Sequence, residues 1–154
     1  MLRDVPSEGD YAKRITVRAP RERVFDALAT LEGLRGWWTI DVTGSPAVGS
    51  ELQFGFDDVD EWIAMRVDRA EKPCCVEWTC VGQRHGPEHD AEWVGTRVIF
   101  AVVDRVREAC ELSVRHIGLT PKLACYEQCE NGWDHFIASL AAYVERGQGS
   151  PFRS

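Results

Sequence analysis

The sequence predicts an α+β domain in which a long C-terminal helix covers one face of an antiparallel sheet of about six to seven strands, with two short helices after the first strand. Two observations predict it. Between Thr39 and Ile117 the apolar residues recur with a period near two, in short runs separated by turn-rich stretches, which is the pattern of a strand meander. After Thr120 the period changes to three and four and holds to Val144, which marks the longest amphipathic helix of the chain. A meander needs something to cover its apolar face, and that helix supplies it.

The first strand is read over Ala12 to Ala19, where Ile15-Thr16-Val17-Arg18-Ala19 alternates apolar and polar residues. Pro20 stops it and suits the first position of a helix, with Glu22 adding negative charge where the helix dipole favours it. Val24, Phe25, Leu28 and Leu31 then form an apolar stripe at helical spacing. Gly33 and Gly36 bracket a second helical turn that ends in Trp37-Trp38. The remaining strands are expected at Thr39 to Thr43, Glu51 to Phe56, Trp62 to Arg69, Cys75 to Val81, Thr96 to Val103 and Glu111 to Ile117. Asp57-Asp58-Val59-Asp60 fits a hairpin connection. The final helix is expected from Pro121 to Arg146, with Thr120 as its N-cap and Tyr126, Cys129, Trp133, Phe136 or Ile137, Leu140 and Val144 as its stripe. Its length would be about 39 Å, against about 20 Å for a six-residue strand, so it must cross the sheet obliquely or follow its curvature. Gly147, Gly149 and Pro151 end it.

Composition sets the class. With 154 residues, 44 % hydrophobic and 28 % charged, residues 1–154 read as a single globular domain with a core from about 12 to 147. The longest purely apolar run, Val98 to Val103, is far short of the roughly 18 to 20 residues of a membrane-spanning helix, so no membrane insertion is expected. The polar, proline-broken N-terminus offers no secretory signal, and a cytoplasmic location follows as the expectation. The six cysteines then read as reduced thiols. A net charge of -7 argues against nucleic acid as a partner. Arginine greatly outnumbers lysine, the codon bias of a GC-rich bacterial genome.

Several local motifs resemble one superfamily. Val17-Arg18-Ala19-Pro20 with Val24-Phe25 and Leu28, the pair Trp37-Trp38, Trp93-Val94-Gly95-Thr96 with Val98 and Phe100, His116-Ile117-Gly118-Leu119, and Gly132-Trp133 with Phe136, Ser139-Leu140, Tyr143, Gly147, Gly149 and Pro151-Phe152 resemble, in order and spacing, the START-like (SRPBCC) superfamily. The similarity points to its branch related to activators of the heat-shock chaperone ATPase. That resemblance implies the helix-grip fold, in which a curved sheet grips the long helix around an elongated cavity. It implies no single activity, because members include lipid carriers, polyketide cyclases and co-chaperones.

The aromatic inventory carries the functional reading. Trp37, Trp38, Phe54, Phe56, Trp133 and Phe136 are the preferred lining of a cavity for a small hydrophobic or amphipathic molecule. Trp78, Phe100, His116 and Cys129 complete the candidate ligand-binding set, and ordinary core packing is the competing account for each. Gly132, inside the helix, costs about 1 kcal/mol relative to alanine. It either packs closely against a strand or leaves room for a ligand beside Trp133. His116 shares a face with Leu112 and Val114, and is either a satisfied core histidine or a group that orients a ligand.

Cys125 and Cys129 lie side by side on one helical face, but no spacing supplies four zinc ligands, so neither a metal nor a cofactor is expected. The loop from Gln83 to Asp90, with His85 and His89, reads as a solvated connection or as a gate to the cavity. No GxSxG elbow, P-loop, Rossmann glycine pattern or HExxH is present. The expected function is ligand binding without turnover. The alternatives are a cofactor-free cyclase, aromatase or dehydratase, in which the weak catalytic candidate His116 would meet Glu77 or Glu92, and an interaction protein acting on a chaperone or other partner. The acidic cluster Asp57, Asp58, Asp60 and Glu61 would suit a basic partner or a plain solvated turn. A homodimer is left open.

Overall fold

The structure, a computed structural model, describes residues 9–56, 61–85, 92–105 and 108–153. Among the described residues ten elements follow in order: β1 (Tyr11–Val17), α1 (Arg21–Ala29), α2 (Leu31–Trp37), β2 (Val42–Gly44), β3 (Glu51–Gly55), β4 (Glu61–Glu71), β5 (Cys75–His85), β6 (Arg97–Asp104), β7 (Cys110–Ile117) and α3 (Tyr126–Arg146). The seven strands form one antiparallel sheet in the order β1-β7-β6-β5-β4-β3-β2. From β2 onward this is a meander. β1 lies at the far edge beside β7, so α1 and α2 carry the chain from one edge of the sheet to the other. The arrangement is the α+β helix-grip architecture that the sequence predicts.

Alternation builds the inner face. Tyr11, His116, Val98, Trp78 and Val67 are successive cross-strand partners over β1, β7, β6, β5 and β4, and all five are buried. Against this face α3 sets Trp133, Ile137, Leu140 and Val144 at helical spacing. The pairing of β4 with β5 shifts register between Ala64 and Met65 and again between Val67 and Arg69. Such bulges increase local twist and bend a sheet around what it covers.

Element boundaries differ from expectation where a local interaction outweighs the periodic pattern. β4 and β5 each run for eleven residues, beyond Trp62–Arg69 and Cys75–Val81. The register shifts break the alternation by which a strand is recognised, leaving Ile63, Ala64 and Met65 buried in succession. α3 begins at Tyr126 rather than Pro121. The stretch before it is spent in three-residue turns, Leu123 N–H to Thr120 O at 3.0 Å and Tyr126 N–H to Leu123 O at 3.1 Å. Thr120 Oγ1 accepts from Lys122 N, and Cys125 is the N-cap of α3. The helix is therefore about 31 Å long rather than about 39 Å. Gly147 closes it in the left-handed region at φ 80°, with its N–H on Tyr143 O.

Gly33 and Gly36 lie inside α2 rather than at its ends. Thr30 caps that helix by accepting from Gly33 N at 2.9 Å. A Cβ on Gly36 would overlap the ring of Tyr143, so glycine there lets α2 and α3 approach closely. Thr39 to Thr43 forms only the short β2 and an isolated parallel bridge between Thr39 and Phe152. Asp57, Asp58, Asp60, His89 and the side chain of His85 lie outside the described residues. All six cysteines are free thiols, and among the described residues no helix is long and apolar enough to cross a membrane.

Candidate functional site

A cleft of about 240 Å³ opens between the first half of α3, the Trp62–Ile63 and Gln83–Arg84 ends of β4 and β5, and the C-terminal tail. From α3 it receives Gln128, Cys129, Gly132, Trp133 and Phe136, which recur at steps of three and four and so share a face. The sheet contributes Phe56, Glu61, Trp62, Ile63, Gln83 and Arg84; Trp38, Trp93 and Phe152 complete the wall. Seven of these fourteen residues are aromatic, so the interior suits a flat apolar body. The charged and amide groups belong to Glu61, Gln83, Arg84 and Gln128.

Backbone interactions fix the tail that carries Phe152. Ser139, buried on α3, donates from Oγ to Trp37 O at 2.8 Å and accepts from Ser150 N at 2.6 Å. Phe152 N–H then donates to Trp38 O, and Ile40 N–H to Phe152 O. These contacts hold the Phe152 ring 5.9 Å from that of Phe56.

The ten predicted binding residues divide into two groups. Trp38, Phe56, Cys129, Trp133 and Phe136 line the cleft. Trp37, Phe54, Trp78, Phe100 and His116 stand behind that wall, each at most 1 % exposed. Trp38 joins the groups, stacking on Trp37 at 5.6 Å and 6°, on Trp78 at 5.7 Å and 1°, and on Trp133 at 5.4 Å and 28°. Stacked aromatic contacts of this kind add about 0.5–1.5 kcal/mol each beyond area burial. The cleft wall is thus braced by a rigid column of rings.

Gly132 resolves into one of its two readings. A Cβ there would meet nothing within 4 Å, so the glycine leaves space in the cleft and does not pack against a strand.

His116 is fully enclosed. Trp133 Nε1–H donates to its Nδ1 at 3.0 Å, which makes Nδ1 the acceptor and leaves the proton on Nε2. Nε2–H then donates to Thr96 Oγ1 at 2.8 Å, and Thr96 Oγ1–H to Trp93 O at 2.6 Å. The edge of the Trp93 ring contacts the imidazole at 4.4 Å and 88°. Burial pushes the imidazole down to about 3, so it is neutral at physiological pH. The chain of donors fixes the Trp133 indole and the backbone of Trp93, whose own indole N–H turns to Cys129. Glu77 binds Arg69 and Arg97, and Glu92 accepts from Cys125 N at 3.0 Å. The acid–base pairing of His116 with either carboxylate, required by the cyclase alternative, is not formed, because both ring nitrogens are taken by Trp133 and Thr96.

Cys129 accepts from Trp93 Nε1–H at 3.3 Å. The hydrogen bond from Cys125, and then that from Trp93, hold its thiol below the ordinary range although burial opposes them. Cys125 moves the opposite way, raised by donating to Cys129 and by burial. Among the described residues no group of three or more His, Cys, Asp or Glu is placed to hold a metal ion.

Trp62, Ile63, Gln83, Arg84, Trp93 and Phe152 are lining residues that sequence reasoning did not select. Trp62 and Trp93 were visible as tryptophans, but only the β4–β5 bulges and the Thr96 turn decide where they point.

Residues 18–145 match the family described as Activator of Hsp90 ATPase homolog 1-like protein. Among solved structures, the Aha1 dimer from Colwellia psychrerythraea is 27 % identical with a TM-score of 0.75, over 91 % of this chain and 98 % of that one. DynU16, from the dynemicin biosynthetic locus, is 21 % identical with a TM-score of 0.68, over 93 % of this chain and 49 % of that one. CalU16 from Micromonospora echinospora is 17 % identical with a TM-score of 0.67, over 92 % and 76 %. The last two show likeness of fold. No curated protein matches the chain.

Proposed function

The chain belongs to the family of Activator of Hsp90 ATPase homolog 1-like proteins, and from that premise we propose that it binds a small, flat, hydrophobic or amphipathic molecule in the cleft beneath α3. The observation that carries this reading is Gly132. An interior helical glycine costs about 1 kcal/mol relative to alanine, and here no neighbour would obstruct the missing side chain. The space it leaves is walled by Trp38, Trp62, Trp93, Trp133 and Phe136. An apolar interior with polar groups at the edge is the usual construction of a small-molecule site.

Size narrows the ligand class. At about 240 Å³, the cleft falls below the roughly 300–1,000 Å³ typical of sites for drug-sized ligands. A molecule of one or two rings, or a short acyl group, fits it better than a long-chain lipid. The neutral, doubly bonded His116 favours binding without acid–base turnover by that residue.

The test is native mass spectrometry of freshly purified protein, joined to titration with 1-anilinonaphthalene-8-sulfonate. A discrete added mass that is lost on denaturation, or saturable one-to-one dye binding that Gly132→Leu abolishes, supports the reading. Absence of both a co-purified mass and saturable dye binding contradicts it. The dimer of the Colwellia relative supports self-association of this chain as well, which sedimentation velocity would read directly.

A further inference from the structure

We propose that the cleft also reacts: Cys129 is a nucleophilic thiol placed to capture flat conjugated carbonyl compounds, of the enone, maleimide or quinone class, as covalent adducts. The inference rests on the reading of the cleft as a ligand site and adds a chemistry to it.

Position singles out Cys129. Among the described residues it is the cysteine that lines the cleft. Cys80, Cys110 and Cys125 are buried, and the Cys75 thiol donates a hydrogen bond to Cys74 Sγ at 2.9 Å beside the β4–β5 turn. Gly132 follows Cys129 by three residues, so the space left by the missing side chain lies next to the sulfur on the same helical face. A flat ring entering that space would meet the thiol at its edge and the indoles of Trp93 and Trp133, which are parallel to within 5°.

Hydrogen bonding prepares the same sulfur. A structural thiol commonly donates its proton, whereas the Cys129 sulfur accepts Trp93 Nε1–H at 3.3 Å. Donors directed at sulfur favour the thiolate, which is the nucleophile. The other cysteines with a resolved displacement move the opposite way: burial pushes Cys80 up to about 11, burial and Cys74 push Cys75 up to about 11, and burial raises Cys110.

The step needs no oxidant and no leaving group. The thiol loses its proton to water, and the thiolate adds to the β-carbon of the conjugated carbonyl. One C–S bond forms and the carbon–carbon π bond breaks. Its electron pair moves onto the carbonyl oxygen as an enolate, which takes a proton from water at the α-carbon. The product carries the whole mass of the ligand.

The test treats the folded protein with one equivalent of N-phenylmaleimide and follows intact mass and peptide maps over time. The expected result is a first adduct on Cys129, formed at least tenfold faster than on the next cysteine. Its rate should titrate below the ordinary thiol range near 8.5 and fall severalfold in Trp93→Phe, which removes the indole donor and keeps an aromatic ring. First labelling at Cys74 or Cys75, or a Cys129 rate unchanged by Trp93→Phe, overturns the proposal. Saturation of the wild type by 1-anilinonaphthalene-8-sulfonate reads the cleft without the thiol. Dye binding without preferential Cys129 labelling defeats the covalent step and leaves the binding site standing, whereas loss of dye binding defeats both.

Discussion

Replacing Gly132 should raise stability and lower ligand binding together, a pairing that a structurally required glycine would not give. In Gly132→Ala the helix gains about 0.8–1 kcal/mol of propensity. The new methyl has no neighbour within 4 Å to obstruct it, so no packing penalty offsets that gain. For a domain of this size about 1 kcal/mol corresponds to roughly 2–4 °C in Tm. Gly132→Leu projects a larger side chain into a cleft of about 240 Å³ and should weaken binding of 1-anilinonaphthalene-8-sulfonate at least tenfold, or about 1.4 kcal/mol. Thermal melts and dye titrations on the two variants make the measurement. A lower Tm for Gly132→Ala, or an unchanged dye affinity for Gly132→Leu, would refute the reasoning.

Three further outcomes are expected. His116 is held at about 3 when folded against about 6.5 unfolded, so acid protonates the unfolded chain first. Its contribution is complete above about pH 6.5 and is lost as pH falls, at up to about 1.4 kcal/mol per pH unit. The urea stability difference between wild type and His116→Gln should therefore shrink by about 2 kcal/mol from pH 7 to pH 5, and a constant difference would contradict the neutral, buried imidazole. Ser139→Ala leaves Trp37 O and Ser150 N without their partner, which should cost about 1–3 kcal/mol in urea unfolding. It should also weaken dye binding, because the tail carrying Phe152 loses its anchor; stability equal to wild type would remove Ser139 from the account. Gly36→Ala should lower Tm by several degrees, since the added methyl overlaps the Tyr143 ring, and an unchanged melt would mean that α2 and α3 can separate freely.

How much was legible in the sequence depends on the range of the signal. Period-two and period-3.6 patterns identified the order and type of the elements because each reflects one face turned to one core. Boundaries failed where the chain departs from periodicity, at the two β4–β5 register shifts and at the turns from Thr120 to Cys125. Within the site the residue types were readable and the directions were not. Trp37 and Trp38 are adjacent, yet Trp37 donates its indole N–H to Ala27 O inside the α1–α2 core while Trp38 reaches the cleft. One residue turns a helix by about 100°, and nothing local says which ring faces the ligand space. Phe152 belongs to a tail whose position follows from Ser139, thirteen residues away in sequence. The opposing tendencies of Cys125 and Cys129 depend first on each other, then on burial and on Trp93, which reaches Cys129 from outside the helix.

The six indole N–H groups make the central claim directly measurable, because each tryptophan gives one resolved signal in a ¹⁵N-labelled sample. Trp38, Trp62, Trp93 and Trp133 line the cleft, whereas Trp37 and Trp78 are sealed behind it. Addition of 1-anilinonaphthalene-8-sulfonate is predicted to shift the first four signals most strongly and to leave those of Trp37 and Trp78 nearly in place. Saturable binding that moves none of the four, or that moves Trp37 and Trp78 most, would place the ligand elsewhere and contradict a binding site beneath α3.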